Sequence, residues 1–235
     1  MSDNVVLVTG GGRGIGRAVC VRFARDGARV VAVSRTAAEL DETKAAVEDA
    51  GGQCHNHPTD VSSYDAVKSA VDDSVRRFGR IDALVNCAGI APLHLIEDLT
   101  PDRFEEILSV NVRATYLACR AVWPVMKANG GGAVVNISSI ASIDPFPGFA
   151  AYGAAKAWVN AWTKGLAEEG RGCGIRVFAI APGAVETRML RGPFPDFPKR
   201  DTLDPANVAD MVHAVVNPEC RYATGQTIFV RRAGD

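Results

Sequence analysis

Short apolar runs rich in valine, isoleucine and alanine recur along the whole chain, and most of them are nearly continuous rather than alternating. Runs of this kind are typical of strands that are buried on both faces, as in a parallel sheet covered by helices. The pattern predicts seven strands, at residues 5–9, 29–34, 53–58, 81–86, 133–138, 175–181 and 226–230.

Longer stretches of helical character separate these runs, at residues 14–26, 37–50, 64–78, 101–128, 152–169 and 205–216. Alternation of strand and helix, with right-handed crossovers, predicts a doubly wound α/β sheet of about seven mostly parallel strands with helices on both faces. Such sheets bind ligands at the carboxyl ends of their strands. We expect a single domain over residues 1–235, in which the proline-rich segment 188–202 forms a lid over a substrate.

Composition excludes several classes of function. With 26 Lys and Arg against 27 Asp and Glu, the net charge of −1 offers no broad basic surface for nucleic acid or an anionic membrane. The N-terminus lacks the pattern of a secretion signal, and no window approaches the roughly 18 apolar residues of a membrane span, so we expect a soluble, cytoplasmic protein. Six cysteines and four histidines show no metal-ligand spacing, which predicts no metal site.

A glycine-rich segment directly follows the first predicted strand and opens the first predicted helix. It reads Thr9-Gly10-Gly11-Gly12-Arg13-Gly14-Ile15-Gly16. Glycines allow a backbone to approach a pyrophosphate closely, and a helix N-terminus contributes N–H groups with positive partial charge. The segment predicts a dinucleotide phosphate site at Gly10, Gly14, Ile15 and Gly16, although a tight turn without a ligand would use the same residues.

A tyrosine and a lysine four residues apart form a second candidate site, because Tyr152 and Lys156 fall on one face of the helix predicted at 152–169. A phenol has a pKa near 10 and needs an adjacent cation to stabilise its phenolate at neutral pH. The pair therefore predicts a proton-transfer site. Ser139, at the end of the fifth predicted strand, is the candidate to hold a substrate oxygen, and its neighbour Ser138 is the second choice.

These motifs together resemble the short-chain dehydrogenase/reductase family, whose cofactor loop has the form Thr-Gly-x-x-x-Gly-x-Gly and whose catalytic helix carries Tyr-x-x-x-Lys. The resemblance covers essentially the whole chain, and the separation of Ser139 from Tyr152 matches the family's. It implies a Rossmann fold and a catalytic set of Ser139, Tyr152 and Lys156. It also implies that Asn111 kinks its helix and binds, through its backbone carbonyl, a water that leads protons to Lys156.

Segments after later strands resemble further cofactor contacts of the family. Asp60 and Val61 resemble its adenine-contacting pair, and Asn86-Cys87-Ala88-Gly89 resembles a motif in which Cys87 here replaces a second asparagine. Asn86 has two open roles, because the family's first asparagine holds the central sheet and could instead contact the ligand; Ala88 and Gly89 follow it. The segment from Pro182 and Gly183 to Thr187 resembles the one that holds the nicotinamide through the backbone near Val185 and the hydroxyl of Thr187.

The end of the second strand indicates which nicotinamide cofactor is bound. NAD-specific folds of this kind place an acidic residue there, which would repel a 2′-phosphate. This chain has Ser34 followed by Arg35, and Arg13 of the glycine loop could converge on the same point. Charge-assisted hydrogen bonds from two guanidiniums favour a phosphate, so we predict NADP(H), unless both arginines are merely solvated.

The resemblance implies an oxidoreductase that interconverts a ketone and a secondary alcohol. The chain is also similar to the 3-oxoacyl-[acyl-carrier-protein] reductases, and the apolar residues of the lid suit an acyl thioester or another hydrophobic ketone; these are Met189, Leu190, Phe194 and Phe197. A carbonyl or sugar reductase of the same family is an alternative. A non-catalytic NADP(H)-sensing regulator is another, but such proteins usually lose the tyrosine or the lysine, and this chain retains both.

Helices that begin near Pro101 and Tyr152 commonly pair across subunits in the family, which implies a homodimer or homotetramer. The C-terminal sequence Val230-Arg231-Arg232-Ala233-Gly234 stands where 3-oxoacyl reductases commonly have Val-Asp-Gly-Gly. Because that terminus lies at a tetramer contact in many relatives, the two arginines weaken the expectation of the usual tetramer.

Overall fold

The computed structural model describes residues 4–232, so expectations drawn from the first three residues and from Ala233 and Gly234 fall outside it. The strands in this range are β1 (Val5–Thr9), β2 (Arg29–Ser34), β3 (Gln53–Pro58), β4 (Ala83–Asn86), β5 (Gly132–Ile137), β6 (Ile175–Pro182) and β7 (Thr227–Val230). The α-helices are α1 (Gly14–Ala24), α2 (Ala37–Asp49), α3 (Tyr64–Phe78), α4 (Pro101–Leu108), α5 (Ala114–Ala128), α6 (Ala150–Gly170), α7 (Arg188–Arg191) and α8 (Pro205–Val216).

The seven strands form one sheet in the order β3-β2-β1-β4-β5-β6-β7, and every neighbouring pair is parallel. The chain starts in the middle, winds outward to β3, and then crosses to β4 on the other side of β1. This reversal places the carboxyl ends of β1 and β4 beside each other at a switch point, where such sheets bind ligands. The predicted fold class, a doubly wound α/β sheet with helices on both faces, is confirmed.

Two hydrophobic cores cover the sheet, one on each face. Successive residues of β1 point to opposite faces, so Val6 and Val8 pack with α1, α2 and α8, whereas Val5 and Leu7 pack with α3, α5 and α6. Burial on both sides explains why most of the strand sequences are continuously apolar. The edge strand β3 is the exception, because its sequence QCHNHP is only partly buried.

Local signals in the sequence fix several helix ends. Thr100 caps α4 by accepting a hydrogen bond from the Arg103 N–H, with Pro101 in the first turn. Gly130 and Gly131 follow α5 with φ of +84° and +137°, conformations that favour glycine. None of the helices within residues 4–232 has the length and apolar character needed to cross a membrane.

The helix predicted over residues 101–128 is confirmed, and its regular geometry is interrupted at Asn111, where the resemblance implies a kink. Five residues, Ser109–Arg113, form a π-helical turn between α4 and α5. The physical reason is the side chain of Asn111, whose Nδ2 donates to the carbonyl oxygens of Ile107 (3.0 Å) and Ile90 (2.9 Å). An amide side chain that competes for a helix carbonyl disrupts the regular hydrogen-bond ladder.

Candidate active site

The glycine loop between β1 and α1 approaches the turn after β4 so closely that only glycine fits. Gly10 has φ +66°, and a Cβ there would stand 2.7 Å from the backbone nitrogen of Ala88. A Cβ on Gly16 would overlap the carbonyl oxygen of Gly10. No side chain in the described chain caps the first turn of α1, whose N–H groups are therefore available to an anion. Gly14, Ile15 and Gly16 form that turn.

Arg17 and Thr43, which the sequence analysis missed, hold this loop through hydrogen bonds to its backbone carbonyls. Arg17 donates to the carbonyl oxygen of Gly12 through both Nε (3.1 Å) and Nη2 (2.6 Å), and Nη2 also contacts Glu42 at 2.7 Å. Thr43, fully buried in α2, donates to the carbonyl oxygen of Gly11 at 2.9 Å. These contacts engage the carbonyl oxygens of Gly11 and Gly12 with protein donors and so fix the conformation of the loop. A polar residue on the inner face of α2 was the only sequence signal for Thr43.

The structure places Ser34 at the end of β2, beside the glycine loop. Its Oγ is buried and makes no hydrogen bond with any of residues 4–232. Burial of a hydroxyl without a partner is costly, so this atom is a candidate to bind a ligand. A Cβ on Gly12 would stand 2.8 Å from this Oγ, which means that Gly12 keeps the approach to Ser34 narrow.

Arg13 and Arg35 were expected to converge on the end of β2 at Ser34. Arg13 instead forms an ion pair with Glu39, a residue that the sequence analysis missed. Oε1 of Glu39 accepts hydrogen bonds from Arg13 Nη1 at 3.1 Å and from Arg188 Nη1 at 3.0 Å. Glu39 is largely buried, with 16% of its side chain exposed, whereas 59% of the Arg13 side chain is exposed. Its place in the first turn of α2, just after Ser34, was a usable signal. Arg35 is exposed at the same end of the sheet.

Asp60 and Val61 follow β3 at the same edge. The Asp60 carboxylate accepts from the Ser62 N–H (3.0 Å) and hydroxyl (2.7 Å). These hydrogen bonds, with a smaller contribution from the charge of Arg35, hold the pKa of Asp60 below its usual value. Val61 is buried in the core beneath.

For Asn86 the contacts favour the structural role. Its Nδ2 donates to Oδ1 of Asn136 at 2.9 Å, and Asn136 in turn donates to the hydroxyl of Thr163 at 2.9 Å. The chain of side chains joins β4, β5 and α6 inside the protein, away from the cleft. Cys87 and Gly89, rather than Asn86, reach the cavity described below.

A cavity of about 410 Å³ opens at the carboxyl ends of β4, β5 and β6, and the residues proposed from the sequence for catalysis line it together. Ser139 follows β5 and accepts a hydrogen bond from the Ala141 N–H at 3.2 Å. Tyr152 and Lys156 project from one face of α6, with Lys156 Nζ 5.7 Å from the centre of the Tyr152 ring. Ser138 also reaches the cavity, but its hydroxyl donates to the Lys156 carbonyl oxygen at 3.1 Å.

Burial shifts the pKa values of Tyr152 and Lys156 in opposite directions. It raises the pKa of Tyr152, and a hydrogen bond with the Ser139 side chain opposes the rise. It lowers the pKa of Lys156 from 10.5 to about 8, opposed by the nearby Cys87. Nζ of Lys156 donates to the Ile137 carbonyl oxygen at 2.8 Å. The lysine therefore changes charge close to physiological pH, as a group that takes part in proton transfer can.

Asn111 is fully buried at the back of the cavity, in the π-helical turn. Its side chain ties that turn to the segment after β4, because Ile90 N–H donates to Oδ1 at 3.3 Å while Nδ2 donates to Ile90 O. A Cβ on Gly89 would stand 2.9 Å from Oδ1 of Asn111 and 3.5 Å from Nζ of Lys156. A glycine at position 89 thus permits Asn111 and Lys156 to approach each other.

The segment after β6 closes the other side of the cavity. Pro182, Gly183 and Val185 line it, and the Thr187 hydroxyl donates to the Val185 carbonyl oxygen at 3.2 Å. Thr187 also reaches the glycine loop, where its Cγ2 would lie 3.3 Å from a Cβ on Gly14. The segment 188–202, which is expected to form a lid, begins with the one-turn helix α7. Thr187 caps that turn by accepting from the Leu190 N–H.

Comparison with known proteins decides the family. The model for short chain dehydrogenase matches residues 4–196 of this chain. The chain belongs to the short-chain dehydrogenase family. A 3-oxoacyl-[acyl-carrier-protein] reductase FabG of Thermotoga maritima is 33% identical over 239 residues, which cover 98% of this chain and 97% of that protein. A probable galactose dehydrogenase GalD of Rhizobium meliloti is 40% identical over 192 residues, 81% of this chain and 75% of that protein.

A solved structure supports the same assignment. The crystal structure of a 3-ketoacyl-(acyl-carrier-protein) reductase from Brucella melitensis, complexed with NADH, superposes with a TM-score of 0.90 at 32% identity, over 98% of this chain and 97% of that one. The expected family and its similarity to 3-oxoacyl-[acyl-carrier-protein] reductases are confirmed. The protein is an oxidoreductase of this family, which acts on alcohol and keto groups with a nicotinamide cofactor.

Proposed function

We propose that this protein is an NADP(H)-dependent enzyme that interconverts a ketone and a secondary alcohol through Ser139, Tyr152 and Lys156. One observation carries the proposal: these three side chains meet in one cavity that adjoins an uncapped helix N-terminus behind a glycine loop. We also propose that the described residues work as one domain, with residues 188–202 as a lid over the substrate.

The residues present fit a nicotinamide dinucleotide. The close approach at Gly10, the free N–H groups of α1 and the unpartnered Ser34 hydroxyl are the features that phosphates and a ribose would use. In this proposal Asp60 and Val61 border the adenine, and the segment from Pro182 to Thr187 holds the nicotinamide. When bound, the cofactor supplies or accepts the hydride.

The side chains divide the remaining work. The Ser139 hydroxyl holds the carbonyl oxygen, and the Tyr152 hydroxyl donates a proton to it during reduction. A buried phenolate is costly, so the ammonium of Lys156 is needed to stabilise the charge that forms on Tyr152. In this proposal Asn111 holds the π-helical turn behind Lys156, and its backbone carbonyl binds a water that returns the proton to Lys156.

NADP(H) is proposed over NAD(H) on the charges around Ser34. No acidic residue ends β2, and Arg13 and Arg35 both lie beside that end. Because the Brucella melitensis relative was crystallised with NADH, family membership alone does not select the cofactor. The Arg35→Asp variant should lose its preference for NADPH in fluorescence titrations, while Arg103→Asp, in the first turn of α4, should keep it. Unchanged selectivity in Arg35→Asp would contradict the proposal.

The chemistry itself is tested by NADPH oxidation with an acetoacetyl thioester as the substrate. The wild type should turn over, and Tyr152→Phe should be inactive yet still bind NADPH; Tyr222→Phe, at an exposed tyrosine, is the matched control. Turnover would favour the 3-oxoacyl reductase. A wild type that fails on this substrate but reduces simple ketones would favour the carbonyl or sugar reductase. Tight NADPH binding with no turnover on a broad panel would favour a sensing regulator.

A further inference from the structure

Aromatic side chains form the substrate side of the cavity. We call Phe146, Phe149 and Phe194 the aromatic wall, because their rings pack against one another with centroid distances of 4.3 Å (Phe146–Phe149), 5.7 Å (Phe146–Phe194) and 6.3 Å (Phe149–Phe194). The wall adjoins the proposed proton donor, since the ring of Phe149 lies 5.1 Å from that of Tyr152. A ketone whose oxygen reaches Tyr152 must therefore place its body against the wall.

Charge is scarce in this cavity. Among the described residues that line it, Lys156 and Asp144 carry the only formal charges. Lys156 lies at the buried end beside Tyr152, whereas Asp144 is an exposed residue of the lining. An anionic substrate group placed near Asp144 would be repelled by its negative charge, and the one cation of the described lining, Lys156, lies at the buried end.

The polar groups of the lining are already engaged. The side chain of Asn111 hydrogen-bonds to Ile90 and Ile107, Ser138 donates to the Lys156 carbonyl, and Thr187 donates to the Val185 carbonyl. Ser139 and Tyr152 hydrogen-bond to each other and are the two hydroxyls that the proposed function assigns to the reacting oxygen. A substrate with several hydroxyl groups, such as a sugar, would bury them without partners, at a cost of a few kcal/mol each.

The lid is tied in place by Arg191. Its guanidinium forms a two-pronged ion pair with Glu186, with Nε–Oε1 of 2.7 Å and Nη2–Oε2 of 2.6 Å. Nη1 also donates to the carbonyl oxygens of Pro195 (3.0 Å) and Phe197 (2.6 Å). These bonds fix the segment that carries Phe194, so the aromatic wall exists before a substrate arrives, and less ordering is needed on binding.

Resting on the proposed function, we propose that the substrate is an uncharged, bulky apolar ketone, with a ring or branched hydrocarbon body held by the aromatic wall. Asp144 is the specificity residue that excludes anionic ketones. Hydroxylated sugars and short acyl thioesters fit the site less well, because the former lack partners and the latter leave the wall uncovered.

Three ketones, compared in NADPH oxidation assays, test the preference for a bulky apolar body separately from the exclusion of anions. 1-Phenyl-1,2-propanedione has an aryl body, 2,3-butanedione has the same reactive group without it, and benzoylformate has the aryl body with a negative charge. We expect kcat/KM for the aryl diketone to exceed that for butanedione by about 30- to 100-fold, the value of burying a phenyl ring. Benzoylformate should be at least about tenfold poorer than the aryl diketone, as expected of an anion placed beside a carboxylate.

Variants assign the effects to residues. Phe194→Ala should remove most of the advantage of the aryl diketone with little change for butanedione, whereas Phe104→Ala, at a half-exposed position on α4, should change neither. Asp144→Asn should raise kcat/KM for benzoylformate and leave the neutral diketones unchanged. A neutral effect of Asp144→Asn would overturn its assigned role.

The wild-type measurements alone decide the substrate class. An aryl diketone no better than butanedione, or an acetoacetyl thioester reduced more efficiently than the aryl diketone, would overturn this inference while the reductase assignment stands. No reduction of any of these compounds, despite NADPH binding, would overturn this inference, and inactivity on a broad panel of ketones and sugars as well would overturn the reductase assignment.

Discussion

Replacement of Lys156 by methionine should make the protein inactive but more stable at neutral pH. Lys156 is 5% exposed, and its burial lowers the pKa of the ammonium from 10.5 to about 8. At pH 7 the folded protein therefore holds a charge that it solvates poorly. A difference of this size corresponds to about 3 kcal/mol of lost stability.

The dependence on pH follows from proton binding. Between pH 8 and 10.5 the unfolded chain keeps the proton that the folded protein has released, so stability rises with pH in this window. The cost is fully present below pH 8 and falls to about 1 kcal/mol at pH 10. Methionine removes this cost at every pH but also removes the hydrogen bond to Ile137, worth about 1 kcal/mol. Lys156→Met should therefore be more stable by about 2 kcal/mol at pH 7 and no more stable at pH 10.

The assay is urea unfolding of the protein without cofactor at pH 7, 8.5 and 10. The control is Lys164→Met, an exposed lysine on the same helix, whose stability difference from the wild type should not vary with pH. A stability difference for Lys156→Met that is the same at pH 7 and pH 10 would refute the reasoning, because it would show that Lys156 is no harder to charge in the folded state.

Three other predictions concern the cofactor loop and the buried polar network. Gly10→Ala should weaken NADPH binding at least about tenfold in fluorescence titrations, because its Cβ would meet the Ala88 backbone; Gly51→Ala, also at positive φ but with open space around its Cβ, should bind normally. Asn136→Ala should lower the free energy of urea unfolding by about 2–4 kcal/mol, because it removes the hydrogen-bond partner of the Asn86 amide and of the Thr163 hydroxyl. Asn129→Ala, at the exposed end of α5, should lower it by less than about 1 kcal/mol. Glu39→Gln should tighten NADPH binding about threefold to tenfold at low salt, because it removes a carboxylate that competes for Arg13, and the effect should disappear at high salt. The control is Glu48→Gln, farther along α2, and an affinity of Glu39→Gln equal to that of the control would show that Glu39 does not compete.

The elements could be predicted from the sequence because their signals are local. The boundaries predicted for β1, β2, β3, α3 and α8 agree with the structure. Continuous apolar runs mark β1 and β2, and capping residues mark α3 and α8. The π-helical turn is not indicated by the hydrophobic pattern of residues 109–113, and the kink at Asn111 was expected from the family resemblance alone. Its cause, the bonds from Asn111 to Ile90, joins residues that are distant in the sequence.

The candidate site was predictable where spacing within one element fixes geometry, as for Tyr152 and Lys156. The site was less predictable from the sequence where residues from several elements meet. The position of Glu39 in the first turn of α2 can be read from the sequence, but its contact with Arg188 depends on where the lid crosses the glycine loop. The pairing of Asn86 with Asn136 depends on the register of β4 and β5, which places these two residues directly opposite each other.

The π-helical turn changes the length of the chain between two rigid helices. The π-helical turn contains one residue more than a turn of α-helix. The extra residue rotates the faces of α4 by about 100° relative to those of α5. The turn can thus be regarded as a tolerated insertion whose removal would yield an uninterrupted helix. Deletion of one residue within 109–113 would leave every other element intact in sequence, yet it would shift all contacts of α4 to a different set of partners. The spacing of these residues is therefore constrained as strictly as their identity.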